Sequence, residues 1–574
     1  MPSIPAIDAP ASLLLVNGKI VTVNGRGDIA GALAIAGERI LAAGSEAEMR
    51  RHAGPETRII DLGGRSAIPG LVDAHAHMDR EGLKLAIPSM AGLRSIDDVL
   101  ARIADLARQR QPGEWIVTMP IGDPPEFEGM PQGLKEGRFP TRHDLDRVAP
   151  DNPVFIKPAW GYWRTSLPIV SIANTRALEL AGIGRGTRST VPSLRIDCDA
   201  GGDPTGIFIE DNVMPIVEFT LMRAAPGFDV ATRTDALAAS MRIYNSLGTT
   251  SVFEGHGVAD DLLEAYRRVK ASGRQSVRAT VMFSPAWKSV GNADIAEMIA
   301  SWAAWIGRRG EGDEWLRVQG LYTEPAAAPE IGLRAAARPQ TGWAGFNYDS
   351  ALPRDSVKVL LREAARNGVR VCGLQAPMLA LFAEVARETP IADQRWVFGH
   401  LTTVDREEIA TIRDLGLCVT THTNSYIYKG GAKLLERIGA GREDDVVPLR
   451  RLLDAGVPVA LATDNVPATL WHPIWQVVAR VDRNTGKPVG ASQALTRAEA
   501  LHCATMGGAY LTFEEDEKGS LEPGKLADIA VLSQDPLGCE LSALRETVAD
   551  MTIVGGRVVF DRTAVRGAEW AGSA

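Results

Sequence analysis

The chain is poor in cysteine: five residues in 574, namely Cys198, Cys372, Cys418, Cys503 and Cys539, with no CxxC pair among them. That scatter excludes a thiolate metal ribbon and a disulfide framework, and leaves buried free thiols in a reducing cytoplasm as the expected state. Long apolar runs are missing as well. No uninterrupted stretch approaches the ~20 residues needed to cross a bilayer, so no membrane partner is expected. The opening residues, 1–15, lack a basic segment ahead of an apolar core, and no signal peptide is read there. Positive charge is in deficit, 62 Lys+Arg against 71 Asp+Glu, and the formal net charge of -9 is spread along the chain. This balance excludes the basic face that a nucleic-acid partner requires. Low-complexity sequence is absent. What remains, 45% hydrophobic and 23% charged, is a globular composition long enough for one large barrel and a smaller module.

Hydrophobic patterning divides the chain into ends and a middle. Short apolar strands at 13–20 and 32–41 are broken by the turn signals Asn17-Gly18 and Gly37-Glu38. Strands at 528–532, 551–554 and 557–560 read the same way, with Gly555-Gly556 between the last two. Segments 1–66 and 517–574 are therefore expected to form one discontinuous small β-sandwich domain around an inserted unit, 67–516. That unit alternates strands with amphipathic helices. Eight strand candidates stand at 67–72, 249–254, 277–283, 316–322, 369–374, 396–400, 417–421 and 457–464, with helices such as 260–271, 356–367, 405–415 and 448–455 between them. Eight such units predict an α/β fold, a (β/α)8 TIM barrel with chemistry at the C-terminal strand ends. The span 79–228 between the first two strands is too long for a crossover and is expected to be a lid or subdomain over the mouth.

The strongest chemical signal is Pro69-Gly70-Leu71-Val72-Asp73-Ala74-His75-Ala76-His77. Residues two apart on an extended chain point the same way, so His75 and His77 leave the first strand together as two ligands for Zn²⁺, Fe²⁺ or Mn²⁺. His400 closes the sixth strand and Asp464 the eighth. A carboxylate ending so apolar a run is costly to bury unless it meets a cation or a donor. Asp464 is thus the candidate general base and a further metal ligand, and His400 either binds metal or polarises the substrate carbonyl. The second strand ends in Glu254-Gly255-His256, where both side chains either complete the coordination or merely hydrogen-bond in a glycine-rich loop. His422, after the seventh strand, is a ligand, a substrate contact or a support behind the ligands. Tyr162, Trp163 and Trp471 are candidate substrate contacts, and Trp160 and Trp475 add aromatic bulk; these rings either line an aromatic-accepting pocket or glue the lid to the barrel.

This set of motifs resembles the amidohydrolase superfamily: PGLVDAHAH, the sixth-strand His400, the eighth-strand Asp464 and the tail KGSLEPGKLADIAVL. Within it the chain is similar to the branch containing N-substituted formamide deformylase and exoenzyme-regulatory-protein-like hydrolases, through DNPVF at 151–155, NTRALELAGI at 174–183, GDPTG at 202–206 and GTTSV at 248–252. The resemblance implies hydrolysis of a C–N bond, an amide in a small and possibly aromatic molecule, by water activated on one or two divalent ions, zinc foremost, and a homo-oligomeric enzyme. Deamination of a ring C=N or amidine is the alternative chemistry, and a catalytically silent binding protein the alternative of another class. Three departures matter. Relatives bridge two metals with a fourth-strand carboxylated lysine, but 316–322 reads LRVQGLY. They place a histidine after the fifth strand, where this chain has Cys372-Gly373-Leu374-Gln375. Gly161-Tyr162 stands where the branch commonly has Gly-His. Glu254 or His256 is expected to replace what is lost, with Lys157 a weaker candidate.

Overall fold

Eight parallel strands run in sequential order around a barrel: β1 (Leu71–Asp73), β2 (Thr249–Val258), β3 (Arg278–Phe283), β4 (Leu316–Tyr322), β5 (Val371–Gly373), β6 (Val397–Leu401), β7 (Cys418–Thr421) and β8 (Val459–Ala460). The computed structural model describes residues 10–164, 166–189, 191–285, 291–307, 309–325, 343 and 351–565. The last strand meets the first through backbone bonds, Ala74 N–H to Leu461 O at 3.1 Å and Asp464 N–H to His75 O at 2.9 Å. An apolar cluster fills the interior, running from Phe253 on β2 through Met282, Cys372 and Val397 to Ala460 on β8. Cys372, Cys418 and Cys503 are the buried free thiols the sequence suggests, whereas Cys198 is exposed and Cys539 half-buried.

The strand expected at 67–72 is two strands. Ser66–Pro69 joins a sheet of the terminal segments, and the chain passes at Gly70 into β1. A Cβ on Gly70 would sit 2.1 Å from Thr250 Oγ1, so only glycine permits this passage. The eighth strand is also shorter than 457–464. Beyond Ala460 the backbone leaves the ladder: Ala462 N–H donates to Thr421 Oγ1 at 3.3 Å and Thr463 N–H to Asp73 Oδ1 at 3.0 Å.

Residues 79–228 contain a five-stranded sheet in the order Leu194–Cys198, Pro204–Glu210, Ile169–Ala173, Val154–Ile156, Ile116–Thr118. Asn174 organises one edge of it: its carbonyl accepts from Val154 N–H at 2.8 Å and Ala177 N–H at 3.0 Å, while its amide donates to Ala149 O and Asn152 O. The start of this region is helix α1 (Met78–Ala86), which packs on α2 (Val230–Ser246). The contact is so close at Gly82 that an added Cβ would lie 1.8 Å from Ala236 O. Gly82→Ala is therefore expected to cost about 2–3 kcal/mol, read as a lowered urea midpoint, because backbone must move to admit the methyl group.

The two chain ends build a four-stranded sheet, order Arg39–Gly44, Ala32–Ala36, Ala11–Val16, Ala53–Asp61, and a six-stranded one, order Arg557–Asp561, Ala549–Val554, Ile529–Leu532, Ser66–Pro69, Lys19–Val21, Ile29–Ala30. Leu13 and Leu33 pack with Ile529 and Ile553 in one apolar cluster. A buried ion pair ties this layer to the barrel: Arg278 on β3 meets Asp528 with Nε–Oδ2 at 2.8 Å and Nη2–Oδ1 at 3.2 Å, and Gly555 N–H donates to the same carboxylate. Asp528→Ala would strand the guanidinium, and a loss of about 3–5 kcal/mol in denaturant unfolding is expected.

Candidate active site

The site begins with the way β1 is fastened to the end of β8. Asp73 is fully buried and accepts from His75 N–H (3.2 Å), Thr463 N–H (3.0 Å) and the Thr463 hydroxyl (2.5 Å). Burial pushes its carboxyl up to about 7, against the pull of the Thr463 bonds. Asn465 completes the clamp, its side-chain oxygen accepting from His77 N–H at 2.7 Å. Three of the local residues hold left-handed backbone that favours glycine: His400 (φ 50°), Asp464 (φ 51°) and Asn465 (φ 58°). Each costs about 1–3 kcal/mol and persists only because such bonds over-determine it, a pattern concentrated at functional sites.

Five of the nine histidines of the chain converge here with Asp464: His75, His77, His256, His400 and His422. Asp464 Oδ1 lies 3.0 Å from His77 Nε2 and 3.8 Å from His75 Nε2; its Oδ2 lies 3.6 Å from His422 Nε2 and 3.9 Å from His400 Nε2. Two groups bring their ligand atoms within 4.8 Å of one another, His75–His77–His256 and His75–His400–Asp464. The arrangement fits a cation. Fully buried His75 makes no hydrogen bond through either ring nitrogen, nor does His400 through Nε2. Such groups are costly unless something accepts their lone pairs. Burial holds all five imidazoles below their ordinary range, His77 to about 4 and His422 to about 3, so they are neutral at pH 7, the form in which an imidazole can bind a cation. Asp464 goes the other way. Burial opposes its charge, but the His77 hydrogen bond and the neighbouring imidazoles outweigh it and hold the carboxyl well below the usual range.

His256 and Glu254, which a regular strand would present on one face, part company. The pairing of β2 with β3 shifts register between Glu254 and Val258, and Gly257 takes φ 80°. His256 turns into the mouth, 5.6 Å from His77 and 4.6 Å from Tyr322 between ring centroids. Glu254 stays outside the cluster, its Oε1 accepting from Met78 N–H at 3.0 Å and Tyr266 hydroxyl at 2.7 Å. Glu254 is in neither candidate ligand group, and its Oε1 makes the hydrogen bonds that the sequence left as the alternative to coordination. His422 is oriented by Ser425 Oγ at 2.7 Å from its Nε2 and stacks on His400, centroids 4.9 Å apart. Ser425 belongs to a π-helical turn, Asn424–Lys429, of the kind often found at functional sites.

The aromatic expectations fare differently. A cavity of about 370 Å3 reaches Asp464, His77, His256 and His400, and its ring-bearing walls include Trp160, Tyr322 and Tyr426. Trp471 is not among them. It is buried at the start of the helix Trp471–Ala479, its indole N–H donating to Leu247 O at 3.1 Å, and is core. Trp163 is packed with Phe127 and Trp343 and faces a neighbouring cavity instead. The Tyr162 side chain lies outside the described residues. Lys157 is taken by Glu218, Nζ–Oε1 2.8 Å. Sequence reading passed over Tyr322 and Glu324, both lining the cavity. Their spacing is the same two-residue step that singled out His75 and His77.

Known proteins place this architecture. A family model described as "Amidohydrolase family" matches residues 58–560. The N-substituted formamide deformylase of Arthrobacter pascens is 27% identical, over 96% of this chain and 98% of its own. The LONG AFTER FAR-RED 3 protein of Arabidopsis thaliana is 24% identical, over 97% and 93%. The crystal structure of an uncharacterized metal-dependent hydrolase from Pyrococcus horikoshii OT3 superposes with a TM-score of 0.65 at 21% identity, covering 92% of this chain and 99% of that one. With the match spanning most of its length, the chain belongs to the amidohydrolase family.

Proposed function

We propose that the chain is a zinc-dependent hydrolase of an amide C–N bond in a small molecule. The observation that carries this is the meeting of five neutral imidazoles and the Asp464 carboxylate at the end of one open cavity, with both His75 ring nitrogens unbonded. The similarity to an N-substituted formamide deformylase supports an N-acyl amine as substrate. His75, His77 and His256 would hold a divalent cation, with His400 and Asp464 beside it. Such a cation, when bound, acidifies water and polarises a carbonyl.

The residues divide the remaining work. Asp464 Oδ1 is committed to His77, leaving Oδ2, on the His400 and His422 side, as the atom that takes a proton from the attacking water. The water oxygen adds to the carbonyl carbon, the C–N bond breaks, and the same proton returns from Oδ2 to the departing nitrogen, which leaves as a neutral amine. His400 faces the carbonyl oxygen, and Trp160 with Tyr322 walls the substrate from bulk solvent. Asp73 acts on none of these atoms but fixes His75 and the Thr463–Asp464 turn. Asp73→Ala is expected to weaken zinc affinity by about 10–100-fold, measured by competition with a chromophoric chelator.

The test is a panel of N-formyl and N-acetyl amines and cyclic amidines, offered to the protein as purified, after chelation, and after zinc is restored. Amine and carboxylate release that stops on chelation and returns with zinc is the expected result. Ammonia from the amidines alone would replace this reading with a deaminase. Inertness of zinc-loaded protein towards the whole panel would point to a silent binding protein.

A further inference from the structure

The turn that follows β7 sends three successive side chains to three places. Residues Asn424–Lys429 are π-helical, and Gly430 N–H donates to Ser425 O at 3.0 Å to close the wide turn. The helix Trp471–Ala479 anchors it. Gln476 donates to Asn424 Oδ1 at 2.9 Å and accepts from the Thr423 hydroxyl at 2.7 Å. Ile427 is fully buried, and Tyr428 lines the cavity that Trp163 faces. Tyr426 goes to the side of the imidazoles and lines the same cavity as Asp464, His77, His256 and His400.

The Tyr426 ring meets His422 edge-on, centroids 5.4 Å apart, and His422 in turn stacks on His400. The ring therefore stands on the His422 flank of Asp464, where Oδ2 lies 3.6 Å from His422 Nε2. Its backbone N–H is used, donating to His422 O at 3.2 Å. Its hydroxyl is not: among the described residues none exchanges a hydrogen bond with it. Burial, with the Asp464 carboxylate nearby, pushes this phenol up to about 12, so it keeps its proton at pH 7 and acts as a donor, not a base. A neutral donor fixed on an anchored turn suits a carbonyl oxygen that gains charge, because nothing has to reorganise when the charge develops.

We infer that Tyr426 is a further catalytic residue, whose phenol donates a hydrogen bond to the substrate's carbonyl oxygen as water adds and that oxygen turns negative. The inference rests on the amide-hydrolase reading of the same cavity. Tyr426 forms no bond to carbon and gives up no proton. The proton of the attacking water still passes by way of Asp464 Oδ2 to the departing nitrogen, and Tyr426 lowers the barrier only by favouring the charged oxygen over the neutral one.

Tyr426→Phe tests this on the zinc-loaded full chain with N-(2-phenylethyl)formamide. The variant keeps the ring that packs on His422, so its zinc content and melting temperature are expected to match the wild type. Its kcat is expected to fall about 10²–10³-fold with KM within about threefold. A second readout separates a donor from a packing role. The anion of 2-phenylethyl methylphosphonate, whose tetrahedral charged oxygens stand for the oxygen in question, should bind the variant more weakly by about the same factor. The product amine, 2-phenylethylamine, should bind both proteins alike. A kcat within threefold of the wild type, or a phosphonate that binds both proteins equally, overturns the inference while wild-type turnover upholds the hydrolase reading. Should the wild type leave the formamide intact, that reading fails for this scaffold, and calorimetric titration with the phosphonate decides Tyr426 separately. Binding to the wild type that weakens about 100-fold in Tyr426→Phe supports the inference; equal binding, or none to either protein, overturns it.

Discussion

Asp464→Asn is expected to lower kcat by about 10³–10⁴-fold, because in the proposed mechanism one carboxylate both takes and returns the proton. Zinc content should stay near that of the wild type. The asparagine oxygen can still accept from His77 Nε2, now 3.0 Å from Asp464 Oδ1, and the Asp464 N–H bond to His75 O that fixes the turn involves only backbone. What the amide cannot do is hold a proton at Oδ2. A variant with full metal and activity within tenfold of the wild type would remove Asp464 from the chemistry and leave it a structural neighbour of the histidines.

The second large effect is predicted for His75. It is common to both candidate ligand groups, so its loss dismantles each of them. Replacement of an outer contact costs metal sites about 10–100-fold in affinity, and His75→Ala should exceed that, purifying with under about a tenth of the wild-type zinc and without measurable turnover. Glu254→Gln is the contrasting case. Its carbonyl oxygen would keep both bonds, from Met78 N–H and Tyr266 hydroxyl, and elemental analysis should find metal content unchanged. Loss of zinc in Glu254→Gln with retention in His75→Ala would reverse the assignment of the two residues.

The contrast between these residues shows what sequence patterning reaches. Period-two logic placed His75 and His77 together because the chain is extended there, and apolar runs located all eight barrel strands. For Glu254 and His256 the sequence left coordination and hydrogen bonding both open, since the register shift after Glu254 depends on how β2 sits against β3, a tertiary property. The division of the first strand at Gly70 was hidden for a similar reason. Nothing in Ala67–Val72 says that Thr250 will crowd that glycine from the neighbouring strand. Trp471 read as a mouth residue by its position after the eighth strand, yet its helix turns the indole into the core to satisfy Leu247 O. Asp73 was visible only as an acid preceding the histidines. Its role depends on Thr463, 390 residues away, which no local pattern encodes. His256 was legible only as one of two candidates to stand in for the absent fifth-strand histidine, and of the two it is His256 whose ring lies beside His77, while Glu254 bonds to Met78 N–H.

Insertion and barrel are joined where the chemistry is proposed to occur. Trp160, from the insertion, lines the cavity, while α1, which follows His77 directly, is locked against α2 at Gly82. Variants at positions that look structural, such as Gly82 and Asp73, are therefore expected to lose metal affinity and stability together.

Anomalous scattering at the zinc edge from crystals of the zinc-loaded chain addresses the centre directly. A peak within bonding distance of His75, His77 and His256 nitrogens, with Asp464 beside it, is the predicted result. A peak elsewhere on the chain, or none at that cluster when zinc is in excess, would contradict the account at its root.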